Sequence, residues 1–290
     1  MKKLGLYLFS LFFWISPNFS WALSNPIAIQ HKSRMLWNQT IDYQLQIVVD
    51  ASLAYDGEST LSHQQDKIQY HVMLNTAFLE KEAEELFARF AKINSIASEQ
   101  LLPAPQDLLE LEQALLEKRV SLSHRQNQVL RHLQESFEFL AWYKTYQQSW
   151  KGASISEQAR AKFTQAFLAS RIHSIEAHEL GHLIDLKQRP IVQDFKKFSE
   201  LNAYYTELFY GGNPYDTLAQ ALAGVRDEMR QKKSVDFSHE KVLVLLQWVA
   251  NMDPHMMNAQ DPLKKCCLVK LLNYKASNLA QLGKALYERG

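Results

Sequence analysis

Only two cysteines occur in the 290 residues, and they are adjacent, at 266 and 267. Neighbouring cysteines make a strained ring that staples no loop, so the fold cannot rest on a disulfide framework. The expected state is two free thiols on a buried helix. No charge of one sign predominates: 32 Lys and Arg stand against 31 Asp and Glu, a formal net charge of +1. Nothing in that balance calls for nucleic acid or an anionic membrane surface as partner. Internal repeats and low-complexity tracts are missing as well. Beyond residue 22 no stretch approaches the roughly 18 apolar residues of a spanning helix, so no stable membrane insertion is expected of the mature protein.

The one apolar run of note is at the start. Lys2 and Lys3 precede the apolar stretch Leu4 to Ile15, Pro17 breaks it, and Ser20-Trp21-Ala22 offers small residues at both positions a signal peptidase reads. Residues 1–22 are read as a signal peptide cleaved after Ala22, which makes the protein periplasmic or secreted and takes its charge to about −1. The remainder is long enough for one large domain or two lobes.

Residues 23–40 are polar without a clear period and read as a linker or arm. Ile41, Tyr43, Leu45, Ile47, Val49, Ala51, Leu53 and Tyr55 then alternate as a strand, ending at the turn signal Asp56-Gly57. Ile68, Tyr70, Val72 and Leu74 make a second strand, and the two could share one small sheet with a single buried face. From there the period is helical. Helices are expected over Phe78–Ile93, Gln106–Lys118 and Ser123–Trp150. Another opens near Ser154, where Glu157 stands at capping-box spacing. Further helices are expected from Ser199, as N-cap, to Tyr210, where Gly211-Gly212 stops the chain, from Asp216, across Lys241–Ala250, and after Asp261-Pro262. The fold class is α+β and predominantly helical. A lobe spanning 41–187 carries the sheet, and a helical lobe follows over 188–290.

The chemistry lies in Ile175-Glu176-Ala177-His178-Glu179-Leu180-Gly181-His182-Leu183-Ile184. Residues four apart sit one turn above each other on a helix, so His178 and His182 project from one face and can share a zinc ion. Glu179 then stands beside the open coordination position, placed to take a proton from water activated by the metal. Leu180, Gly181, Leu183 and Ile184 suit a helix buried on every side but the metal face, from which Glu176 departs. Catalytic zinc keeps three protein ligands. Glu200, after 17 intervening residues, is the leading third ligand, with Glu207 two turns along the same helix as the alternative. Asp185 shares the histidine face, but seven residues at 1.5 Å set it roughly 10 Å from His178, which suits a partner orienting a histidine better than a ligand. Tyr204, Tyr205 and Tyr210, or Arg171 and His173, are candidate donors to a developing oxyanion, with Tyr204 taken as the catalytic one.

His178-Glu179-Leu180-Gly181-His182 followed by Glu200 resembles the gluzincin branch of the zinc metallopeptidases. No Gly then His follows at metzincin spacing. The resemblance spans about 175–210 and implies a zincin-like fold: an active-site helix, an upstream sheet whose edge strand receives extended substrate, and a helical second lobe. It makes His178, His182 and Glu200 the ligands of one zinc ion and Glu179 the general base. The edge strand is expected to be Ile68–Asn75, with substrate pairing antiparallel to it. The family commonly carries Asp four residues after the ligand Glu, where this chain has Tyr204. The expected function is an exported zinc metallopeptidase acting on protein or peptide. A non-proteolytic zinc hydrolase of an envelope component and a zincin-like binding scaffold are the alternatives.

Overall fold

A computed structural model describes residues 28–49, 57–64, 67–93, 102–118, 121–188, 195–231, 237–252 and 265–289. The expected signal peptide, the residues Ala51 to Tyr55 with the Asp56 half of the turn, and the Asp261-Pro262 helix start lie outside them. Four strands come first, β1 (Ala28–Leu36), β2 (Gln39–Val48), β3 (Gly57–Gln64) and β4 (Lys67–Asn75). Then follow α1 (Thr76–Ile93), α2 (Pro105–Leu116), α3 (His124–Ser149), α4 (Ser156–Gln188), α5 (Phe195–Tyr210), α6 (Pro214–Gln231), α7 (Phe237–Met252), α8 (Cys267–Asn273) and α9 (Ala276–Tyr287). The protein is α+β and predominantly helical. None of the described helices is long and apolar enough to cross a membrane.

The sheet has the order β1-β2-β4-β3. β2 and β4 run parallel, with Leu45 opposite Val72 and Ile47 opposite Leu74. Their alternation buries Ile41, Tyr43, Leu45, Val72 and Leu74 on one face, as the period-two pattern demands. Two expectations are corrected here. Residues 28–36 are a strand rather than part of a linker, and β4 is mid-sheet, with β1 and β3 as the edges. β4 therefore has no open edge to offer an extended substrate. β1 escapes pattern reading because its inward positions include Lys32 and Arg34 instead of apolar residues. Both answer Glu176 of α4: Lys32 Nζ is 2.8 Å and Arg34 Nη1 4.0 Å from that carboxylate, which also accepts from the Tyr43 hydroxyl. A buried carboxylate needs such partners, which accounts for Glu176 inside an otherwise apolar run.

The β1–β2 turn places Trp37 and Asn38 at positive φ, 48° and 60°. That strain is matched by docking: the Trp37 indole stacks on Tyr287 at 3.9 Å and donates to Thr206 Oγ1 at 2.8 Å. The hairpin tip thus reaches the C-terminal helix.

Two cores lie side by side. One joins the sheet, α1, the second half of α3 and α4 through Leu86, Phe90, Tyr146, Phe163 and Phe167. The other joins α2, the first half of α3 and α5 to α9 through Leu111, Leu133, Leu208, Leu222 and Leu246. α2 and the start of α3, which precede the lobe boundary expected near 187, pack in the second core. Cys266 and Cys267 are buried free thiols at the start of α8. Glu112 accepts from Cys266 Sγ and from the Leu268 amide, and burial pushes both thiols up to about 12, so they stay protonated at neutral pH.

α4 runs unbroken for 33 residues, about 50 Å. At its start the amide and hydroxyl of Ser154 meet Gln158 Oε1, at 2.9 and 3.0 Å, in place of the expected Glu157. Its last third carries the histidines, and α5 packs across it where Gly181 has no side chain. A Cβ there would lie 2.6 Å from Ala203 Cα and 3.0 Å from Thr206 Oγ1. Gly181→Ala is expected to push the helices apart. The overpacking cost, typically about 1–3 kcal/mol, outweighs the roughly 1 kcal/mol gained in helix propensity. Thermal unfolding should show a lower Tm, and zinc competition a weaker site. A Tm at or above that of the wild type would refute this contact.

Candidate metal centre

His178 and His182 stand one turn apart on α4, their ring centroids 4.9 Å from each other. Glu200 reaches them from α5: Oε2 lies 3.9 Å from His178 Nε2, and Oε1 lies 3.8 Å from His182 Nε2. One donor atom of each residue falls within 4.8 Å of the other two, the only such group among the described residues. A tetrahedral ion with bonds near 2.0–2.1 Å wants donors about 3.3 Å apart, so each of these pairs needs to close by about half an ångström. Two imidazoles and one carboxylate, half-buried and open to water, suit zinc by donor chemistry. These residues fit the ion.

The rings are held from behind. His178 Nδ1 is 3.1 Å from Glu207 Oε2, and Glu207 Oε1 accepts from Ser174 at 2.9 Å and Thr217 at 3.2 Å. A carboxylate only accepts, so the ring proton belongs on Nδ1 and the lone pair on Nε2 faces Glu200. His182 Nδ1 is 2.8 Å from Ser199 Oγ. These contacts correct three expectations. Glu207 is the histidine-orienting carboxylate. Asp185 instead accepts from the Asn202 amide, at 2.9 and 3.1 Å. Ser199 is not an N-cap, because α5 begins at Phe195; it and Glu200 lie in the second turn of the helix.

Electrostatics differ between the two rings. Burial depresses the pKa of His182 to about 3, with the neighbouring His178 adding to the effect, so the ring is neutral at neutral pH. Burial also disfavours charge on His178, but the hydrogen bond it donates to Glu207 outweighs that and raises the pKa. Burial likewise works against ionised Glu200, yet Lys241 and the two histidines hold its carboxyl below the usual range. Lys241 of α7 supplies that cation, its Nζ 3.3 Å from Glu200 Oε2 and 5.6 Å from the centroid of the Tyr204 ring.

Beside the three donors a cavity of about 180 Å3 opens between α4, α5, α6 and α7. His178 and Glu179 contribute to its wall, as do Tyr204 and Lys241. Glu179, almost wholly buried, thus faces the same space as the first histidine. The Tyr204 side chain lines the cavity, and its hydroxyl is buried without a hydrogen-bond partner. Burial and the charge of Glu207 raise its pKa, so it remains a donor. The other candidate donors are engaged elsewhere. Tyr205 packs in the second core, and the Tyr210 hydroxyl accepts from the Trp37 amide. Arg171 is paired with buried Asp216 at 2.9 Å, and His173 Nε2 lies 3.1 Å from Arg34. Lys241 was missed by sequence reading because an isolated lysine at the start of an apolar helix resembles a solvated end.

No protein-family model, curated protein or solved structure matches this chain.

Proposed function

We propose that this protein is an exported, single-zinc metallopeptidase of gluzincin type. The observation that carries the reading is the convergence of His178, His182 and Glu200 from two helices, with Glu179 opening onto the adjoining cavity. His178 and His182 would hold zinc through Nε2, and Glu200 through its carboxylate. When bound, zinc polarises a carbonyl and lowers the pKa of water to about 7. Glu207 and Ser199 keep both rings turned so that their Nε2 atoms point inward. Glu179 accepts the proton of the attacking water and returns it to the departing amine nitrogen. Tyr204, the donor left over inside the cavity, bonds to substrate. Extended substrate would pair with an edge strand, and β1 and β3 are the two on offer.

Digestion of a mixed proteome with the mature protein, run beside its Glu179→Gln variant, tests this reading. New cleavage products are expected only from the wild type. The purified protein is expected to carry about one zinc per chain, with turnover lost on chelation and restored by zinc. Undiminished activity in a metal-free preparation would overturn the metal assignment. Zinc binding without any peptide cleavage would point to a non-proteolytic hydrolase or a binding scaffold.

A further inference from the structure

We infer that the cavity beside Glu179 selects the substrate and takes a carboxylate, gripped by the Lys241 ammonium and the Tyr204 hydroxyl. This rests on the peptidase reading for the word substrate, though not for the binding itself.

Size comes first. At about 180 Å3 the cavity falls below the roughly 300 Å3 at which pockets begin to hold a drug-sized ligand, so it suits one side chain or one chain terminus. Polarity comes second. Ile175 and Ala221 are apolar, but most of the remaining wall is polar or charged. An apolar side chain would strip those groups of water and return nothing.

The wall's polar groups separate into those whose hydrogen bonds are taken and those with donors to spare. Arg171 is paired with Asp216 inside the protein. Glu207 accepts from Ser174 and Thr217 and is bound to His178, so it has little left for a ligand. Gln220 donates to Glu82 at 2.8 Å. Two groups remain. Lys241 has three donors, and among the described residues only Glu200 takes one. The Tyr204 hydroxyl is buried and has no partner at all. Both are donors, and they belong to neighbouring side chains, the ammonium lying over the phenol ring 5.6 Å from its centre. Two donors on one wall, one of them charged, call for a ligand that only accepts and carries negative charge. A carboxylate meets that description.

In a peptide that carboxylate is either the chain terminus or an acidic side chain, and the pocket chemistry is the same for both. The test uses zinc-loaded Glu179→Gln protein, which binds without turnover, and two pairs of probes read by calorimetry. N-acetyl-alanyl-alanine against its C-terminal amide reports the terminus. N-acetyl-alanyl-glutamate amide against the glutamine amide reports the side chain. In one pair the acid is expected to bind roughly 10- to 100-fold tighter than the amide, the range of a charge-assisted hydrogen bond. Adding Lys241→Met should erase that preference, Lys241→Arg should keep most of it, and Tyr204→Phe should reduce it. Circular dichroism and zinc content show that each variant is folded and loaded. Equal binding of acid and amide in both pairs would overturn the inference, as would a preference that survives Lys241→Met or tighter binding of basic probes. Proteome peptides cleaved with no carboxylate preference would leave the peptidase reading standing and remove this one. Carboxylate binding that depends on Lys241, in a wild-type protein that cleaves nothing, would do the reverse.

Discussion

Glu179→Gln is expected to remain folded and zinc-loaded while turning peptide over roughly 100- to 10,000-fold more slowly, the range for loss of a positioned general base. Glu179 shares a helix turn with His178 and His182 yet is not one of the three clustered donors, so removing its charge subtracts no ligand. It is almost wholly buried, and glutamine has the same shape, so its packing survives. The amide cannot accept the proton of the attacking water. Steady-state rates on any peptide found in the proteome digest, with zinc measured on the same sample, decide the point. A variant as fast as the wild type would exclude Glu179 as the base.

The second large effect concerns the metal. Glu200→Ala removes a donor outright and is expected to weaken zinc binding by more than the roughly 10- to 100-fold typical of losing a residue that merely orients a histidine. Glu207→Gln should fall within that 10- to 100-fold range. Its carboxylate bonds to His178 Nδ1 and is itself fixed by Ser174 and Thr217, so the change releases the ring rather than a ligand. Asp185→Asn, one helix turn beyond His182, should leave affinity nearly unchanged, because Asp185 answers Asn202. Glu200→Gln run alongside keeps a side chain against Lys241 and guards against a stability artefact. Competition against a chelating dye ranks the variants. If Glu207→Gln proved the more damaging, the third ligand would be Glu207. An effect confined to Asp185 would remove the gluzincin assignment.

Much of the local structure is legible in the sequence alone. The alternation through Ile41, Tyr43 and Leu45 gave β2, and Pro105 and Ser123 marked where α2 and α3 begin. His178, Glu179 and His182 were legible for the same reason: residues four apart on one helix must share a face, whatever surrounds it. Local spacing therefore determined the helical and strand periods, the predominantly helical class and the histidine pair.

Tertiary structure decided the rest, because those choices depend on partners distant in sequence. β1 looked like a polar arm, since the negative charge that Lys32 and Arg34 answer sits on Glu176, more than 140 residues away. β4 shows by its period which face is buried but not which strands flank it, so the sequence alone does not reveal that it lies between β2 and β3. Glu200 and Glu207 lie two turns apart on one helix, and spacing alone cannot say which meets the open side of the rings and which their backs. The approach of α5 across Gly181 settles that, because the rotation of one helix against another is fixed by side-chain contact along both. Lys241 became visible only once α7 had packed against that pair, since an ammonium gains a meaning from the carboxylate it meets and carries none in its own stretch of sequence.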